Sequence, residues 1–138
     1  MVSLIIGHKG SGKTKKLIDA VNAAREASNG NVICIEKGSK LSNDVKYTVR
    51  LVSADEYKIT GCDAYYGFLA GMCAGDADIT DILADGTLKI GGEIGDDLVV
   101  FFKKVAALAE ATDTKFTFTV SADEEELPKE IFDFCQKA

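Results

Sequence analysis

The sequence predicts an α/β fold, a three-layer sandwich around a mostly parallel sheet of five strands. Three observations carry this. Short apolar runs of β character alternate with longer segments whose apolar residues recur at helical spacing. A glycine-rich stretch stands between the first such run and the first such segment. The chain has 138 residues, 46% hydrophobic and 28% charged, which suits a single soluble domain over residues 1–138 with a core of its own.

The first strand is expected over residues 2–6, where Val2, Leu4, Ile5 and Ile6 supply the apolar run. A helix follows over 13–27, with Leu17, Ile18, Val21 and Ala24 on one face, and Ser28-Asn29-Gly30 stops it. The second strand is placed at 32–36, and a polar loop runs from there to about residue 44. A third strand is expected over 46–52 and a second helix over 63–74. Gly67 and Gly71 weaken that helix by about 1 kcal/mol each relative to alanine, and their spacing suggests close approach to the sheet. The fourth strand is 79–84. Gly91, Gly92 and Gly95 then make a flexible crossing to a long helix, 96–111, striped by Leu98, Phe101, Phe102, Val105, Leu108 and Ala109. The fifth strand is 116–120. Pro128, the only proline, suits the first turn of a final helix carrying Ile131, Phe132 and Cys135.

Composition narrows the chemistry. A net charge of −6 argues against nucleic acid as the main partner, because a phosphate backbone calls for a basic face. The four cysteines, Cys34, Cys62, Cys73 and Cys135, form no C-x-x-C pair, and the chain has one histidine. A thiolate zinc site needs clustered ligands, so free and mostly buried thiols are expected. No apolar run approaches the roughly 18 residues of a membrane span, and Leu4-Ile5-Ile6 is too short for a signal peptide. A cytoplasmic protein without a membrane partner is the expectation.

The segment Gly7-His8-Lys9-Gly10-Ser11-Gly12-Lys13-Thr14 matches G-x-x-x-x-G-K-S/T at every fixed position. It follows an apolar strand and opens an amphipathic helix, as the pattern requires. A chain of this length meets the pattern by chance about once in two hundred. Glycines let successive backbone N–H groups point inward to cradle phosphate oxygens, and the helix N-terminus adds partial positive charge. Lys13 is expected to reach the β- and γ-phosphates, and the Thr14 hydroxyl to ligate Mg²⁺. Lys9, Lys15 and Lys16 cluster beside Lys13, where the phosphates of a bound nucleotide explain them.

This loop resembles the Walker A motif of P-loop NTPases, and the order of the other elements resembles their RecA-like branch. The resemblance implies an apolar strand ending in an aspartate that helps to hold Mg²⁺. Ile79-Thr80-Asp81-Ile82-Leu83-Ala84-Asp85 fits, with Asp85 at the end; Asp81 competes from within the strand, and Asp76 and Asp78 precede it. It also implies a later strand ending in a polar sensor of the γ-phosphate, which Phe116-Thr117-Phe118-Thr119-Val120-Ser121 offers in Ser121. A catalytic glutamate at the end of the second strand would be Glu36, orienting or deprotonating the attacking water, with Glu93 or an ordinary strand-end carboxylate as alternatives. The whole chain is also similar to small bacterial ATP-binding proteins built from little more than this core.

The implied ligands are ATP and Mg²⁺, with the base itself unread. A slow or partner-stimulated ATPase is the first expectation, with an unidentified protein partner or a homo-oligomer completing the site. The family's motors use arginines across an interface, whereas this chain has only Arg25 and Arg50. The basic boxes of pilus-retraction motors are missing. A non-catalytic module in which ATP selects a conformation is the second reading. A small-molecule kinase ranks lower, for want of an arginine-rich lid. A GTPase ranks lower still, since Asp113-Thr114-Lys115 has the wrong order for the guanine-reading motif.

Overall fold

Each strand of this chain is followed by a crossing of a dozen residues or more, and such crossings return the chain in the same direction. The computed structural model describes all 138 residues and shows the result, a six-stranded sheet of order β3-β2-β4-β5-β1-β6. The strands are β1 (Val2–Gly7), β2 (Asn31–Glu36), β3 (Arg50–Ser53), β4 (Ile79–Ala84), β5 (Lys115–Ser121) and β6 (Gln136–Lys137). All neighbouring pairs are parallel. The helices are α1 (Lys13–Ala27), α2 (Cys62–Gly75), α3 (Thr87–Gly91) and α4 (Asp96–Thr112).

The interior strands are apolar on both faces because both are covered. Against one face, α2 and α4 pack Tyr65, Leu69, Phe101, Phe102 and Val105 onto Phe116 and Phe118. The rings of Phe102 and Phe118 meet edge to face at 5.5 Å, a favoured aromatic geometry. Burial of each such side chain is worth about 1.5–3 kcal/mol. On the other face α1 lays Leu17 and Val21 over Ile5, Val32, Cys34 and Leu83, and the 37–49 loop adds Leu41, Val45 and Val49. The fold class is the expected one, an α/β sandwich around a parallel sheet.

Several elements differ from expectation. The sheet has six strands, because β6 adds a short edge beside β1, where Ala138 N–H donates to the Leu4 carbonyl. The third strand begins at Arg50, four residues later than expected. Turns occupy 46–49 instead, with Lys46 N–H donating to the Asn22 side chain and Val49 N–H to the Lys46 carbonyl. The final helix is a 3₁₀ turn, Lys129–Asp133, and Pro128 stands just before it. The glycine-rich crossing after β4 contains the short helix α3. Gly67 and Gly71 do not bring α2 against the sheet. Both are exposed, and a Cβ at either would meet open space; the buried face of α2 is Tyr65, Leu69 and Cys73. All four cysteines are free, Cys62 half-buried and the others buried.

Candidate functional site

Ligand sites in parallel sheets form at the carboxyl ends of the strands, and here β1, β5 and β4 end side by side. Residues 7–14 leave β1 in a tight curl. Gly10 and Gly12 adopt φ of 88° and 85°, a region that costs side-chain-bearing residues energy and glycine almost none. The curl is closed by Ser11 N–H donating to the His8 carbonyl at 3.1 Å. Lys13 folds back over it and donates to the same carbonyl at 2.9 Å.

The first turn of α1 carries Lys13, Lys15 and Lys16 and no carboxylate. That is the wrong sign for a helix N-terminus, which prefers anions. Lys13 is buried, and desolvation holds its ammonium below the usual lysine range. Asp85 acts the other way, raising it, and Lys89 adds to the depression. An anion entering this turn would relieve both the helix dipole and the crowded ammoniums.

Opposite the loop stands Asp85, one residue beyond β4. Its Oδ2 accepts the Thr14 hydroxyl at 3.1 Å and its Oδ1 the Thr119 hydroxyl at 2.5 Å. Thr119 Oγ1 also accepts the Gly86 N–H at 2.9 Å, so it fixes both the carboxylate and the turn that follows. The register explains the meeting. Ala84 pairs with Phe118, so the next step along both strands brings Asp85 beside Thr119. Asp81 lies within β4 and accepts the Thr80 hydroxyl, and Asp76 and Asp78 lie at the far end of that strand.

Between loop and carboxylate lies a cavity of about 570 Å³ lined by no apolar residue. Lys9, Gly10, Gly12, Lys13, Thr14, Asp85 and Ser121 all border it, joined by Gly86, Lys89 and Thr119. Ser121 is exposed at the tip of β5, paired in register with Gly7. Of the other proposed binding residues, Gly7 borders a different cavity, Ser11 borders neither that one nor this, and His8 and Lys15 turn their side chains to carboxylates. His8 turns its imidazole to Asp123 at 2.9 Å and Glu126 at 3.2 Å, tethering the loop's shoulder to the turn after β5. Lys15 is exposed and 3.8 Å from Asp19. A larger cavity of about 810 Å³ lies on the far shoulder, where Asp123, Glu124 and Glu125 face Lys16 and Lys137 and the carboxylates outnumber the ammoniums.

Glu36 is buried at the end of β2, and both its oxygens are engaged. Oε1 accepts the Lys40 N–H at 2.7 Å and Oε2 the Leu41 N–H at 3.2 Å. It borders a neighbouring cavity that also touches Thr14 and Asp85. Glu93 is exposed in the link to α4 and borders neither space. Arg25 donates to the Ser28 and Gly30 carbonyls and holds the turn into β2. Arg50 opens β3 at the opposite end of the sheet from the loop.

No family model matches the chain, and no curated protein matches its sequence. Among solved structures it is similar to the flagellar accessory protein FlaH from Methanocaldococcus jannaschii, with a TM-score of 0.60 at 14% identity. The likeness covers 96% of this chain and 65% of the FlaH chain, so the chain spans less than two-thirds of that structure's length. At that identity the likeness is one of fold.

The donors at the heart of the site, a hydroxyl and a carboxylate, are hard oxygens of the kind Mg²⁺ takes when it is held by one or two protein groups and by phosphates. Two residues escaped the reading of the sequence. Thr119 stands buried between Phe118 and Val120 in β5, and the sequence pattern does not separate it from Thr117. Lys89 sits on α3, which was not expected to be a helix, and no periodicity marked it.

Proposed function

We propose that this protein binds Mg–ATP with its phosphates in the 570 Å³ cavity, and that it hydrolyses the nucleotide slowly or only when a partner completes the site. One observation carries the binding half. Thr14 and Asp85, a hydroxyl and a carboxylate from distant parts of the chain, meet at 3.1 Å beside the glycine loop. In this reading the backbone N–H groups of residues 10–14 and the Lys13 ammonium take the phosphates, with Lys13 leaving the His8 carbonyl. Thr14 and Asp85 would hold Mg²⁺, which would screen the charge on the β- and γ-phosphate oxygens. Ser121 stands where it can report the terminal phosphate.

Slow turnover is supported by what surrounds the site. Glu36 spends its carboxylate on two backbone N–H groups, so water activation would require the 37–41 segment to move. Neither arginine is near the cavity. The same engagement of Glu36 favours the second reading, a module in which bound nucleotide selects a conformation for a protein partner or a second copy to read.

Calorimetric titration with ATP in the presence and absence of Mg²⁺ tests the binding half. Wild type should bind with Mg²⁺, and Lys13→Ala should lose that affinity; equal affinity in the two proteins would sink the proposal. Phosphate release separates the two readings. Measurable release that falls in Glu36→Gln supports the ATPase, and none, even with cellular extract added, supports the module. Phosphate found on a metabolite would favour a kinase.

A further inference from the structure

A second cavity, of about 380 Å³, adjoins the first across Thr14, Asp85, Gly86 and Lys89, which border both. Its volume lies toward the lower end for small-molecule sites. Its remaining wall is the 36–41 segment together with Asp55, and Leu41 is its one apolar residue.

Its lining carries three lysines and three carboxylates, so the formal charges cancel, and what differs is which polar atoms are already engaged. Lys37 is paired with Asp55 at 3.1 Å. Glu36 spends both carboxylate oxygens on backbone N–H donors, and Asp85 spends both of its own on threonine hydroxyls. Lys40 and Lys89 are left, and neither has a carboxylate within ion-pair distance. These two ammoniums therefore bring unused donors to a cavity whose carboxylate oxygens are all engaged. Glu36 acts here as a positioning residue: by capping the Lys40 and Leu41 N–H groups it folds the 37–41 segment so that Lys40 borders the space.

We propose that this cavity is a second ligand site, for a small molecule bearing an oxyanion, phosphate or carboxylate, that binds at the same time as the nucleotide. Lys40 and Lys89 receive the oxyanion, and the ligand lies against the Thr14–Asp85 side of the nucleotide site. Its placement beside a terminal phosphate rests on the nucleotide reading; the site itself rests on Lys40, Lys89 and the cavity.

The test uses two-dimensional NMR of the full chain, loaded with Mg²⁺ and a non-hydrolysable ATP analogue and titrated with inorganic phosphate and, separately, citrate. One or both should shift the Gly38, Lys40 and Lys89 amides saturably while the analogue stays bound. Lys40→Ala should weaken that binding at least tenfold without changing analogue affinity, and Lys40→Arg should restore it. Lys40 is exposed, so these variants leave the fold intact. Displacement of the analogue by both anions, no saturable shift at Gly38 and Lys40 with either, or an unaltered affinity in Lys40→Ala would each overturn the proposal. Should the analogue itself not bind, the nucleotide reading fails, and the same Lys40-dependent shifts in nucleotide-free protein still decide the second site.

Discussion

Thr14 donates its hydroxyl to Asp85 Oδ2 at 3.1 Å across 71 residues of sequence, while Thr119 holds the other carboxylate oxygen. Asp85 is therefore oriented from both sides before any ligand arrives. Removing the Thr119 hydroxyl leaves the carboxylate and the Gly86 N–H each short of a partner. Thr119→Val should cost about 1–3 kcal/mol of stability. It should also weaken Mg²⁺-dependent nucleotide binding by about tenfold or more, as losses behind a metal ligand do. Thr119→Ser should recover most of both. Mg²⁺ titrations at fixed ATP check it, and an unchanged Mg²⁺ dependence would count against Asp85 as the metal's residue.

Lys13 places its amine where burial disfavours charge. Burial lowers its affinity for a proton in the folded state, so the unfolded chain binds that proton more tightly. This group's contribution to stability rises as pH climbs from its folded value toward 10.5. Lys13→Met removes the penalty and keeps the apolar stem. The ligand-free protein should melt somewhat higher in this variant while nucleotide binding is lost. Thermal melts with and without Mg–ATP measure both halves.

The buried acids behave oppositely. Burial pushes the Cys34 and Cys135 thiols from 9.0 up to about 12, with Glu36 and then Asp85 adding to the effect at Cys34. Tyr65, fully buried, is raised as well. Each folded-state value exceeds its unfolded one, so the stability the two thiols lend is whole below about pH 9 and drains between about 9 and 12. The expected loss is up to about 1.4 kcal/mol per pH unit for each thiol. Urea midpoints from pH 8 to pH 10.5 should show the fall, and Cys34→Ala with Cys135→Ala should make it shallower.

Gly67 and Gly71 occupy exposed positions in α2 with open space where a Cβ would stand. Alanine at either costs no contact and reduces the freedom of the unfolded chain. Each substitution should stabilise by about 0.5–1 kcal/mol, read from denaturant midpoints. A loss instead would mean that another surface packs against this face of α2 in solution.

Glu36→Gln carries its own signature. Glutamine offers one carbonyl oxygen where the carboxylate offers two, so either the Lys40 or the Leu41 N–H loses its acceptor. We expect about 1–3 kcal/mol of destabilisation whatever happens to turnover. An unchanged melting temperature would show that the 37–41 segment does not depend on this carboxylate.

What the sequence made legible and what it hid have a common physical basis. α1 and β4 were placed to the residue, because an amphipathic period and an apolar run between turns are local signals. The loop and its threonine were legible because a phosphate cradle needs particular residues at fixed spacing. β6 was not, since two residues of exposed edge, Gln136 and Lys137, carry no pattern and exist as a strand only because β1 offers an open side. The hold of Thr119 on Asp85 was hidden because it depends on the β4–β5 register, which is a tertiary fact. The glycines of α2 misled for the same reason: a small-residue spacing does not say which face of a helix it occupies.

β5 lies between β1 and β4, which separates the strands bearing the loop and Asp85 by about 10 Å, two strand spacings. A ligand spanning that gap would clamp three strands drawn from the beginning, middle and end of the chain. No local fragment can present such a surface, because its edges come together only after the slow, long-range pairings are complete. Nucleotide capture would thus certify finished folding, and during synthesis the molecule would stay blind to ATP until β5 had emerged and slotted into place.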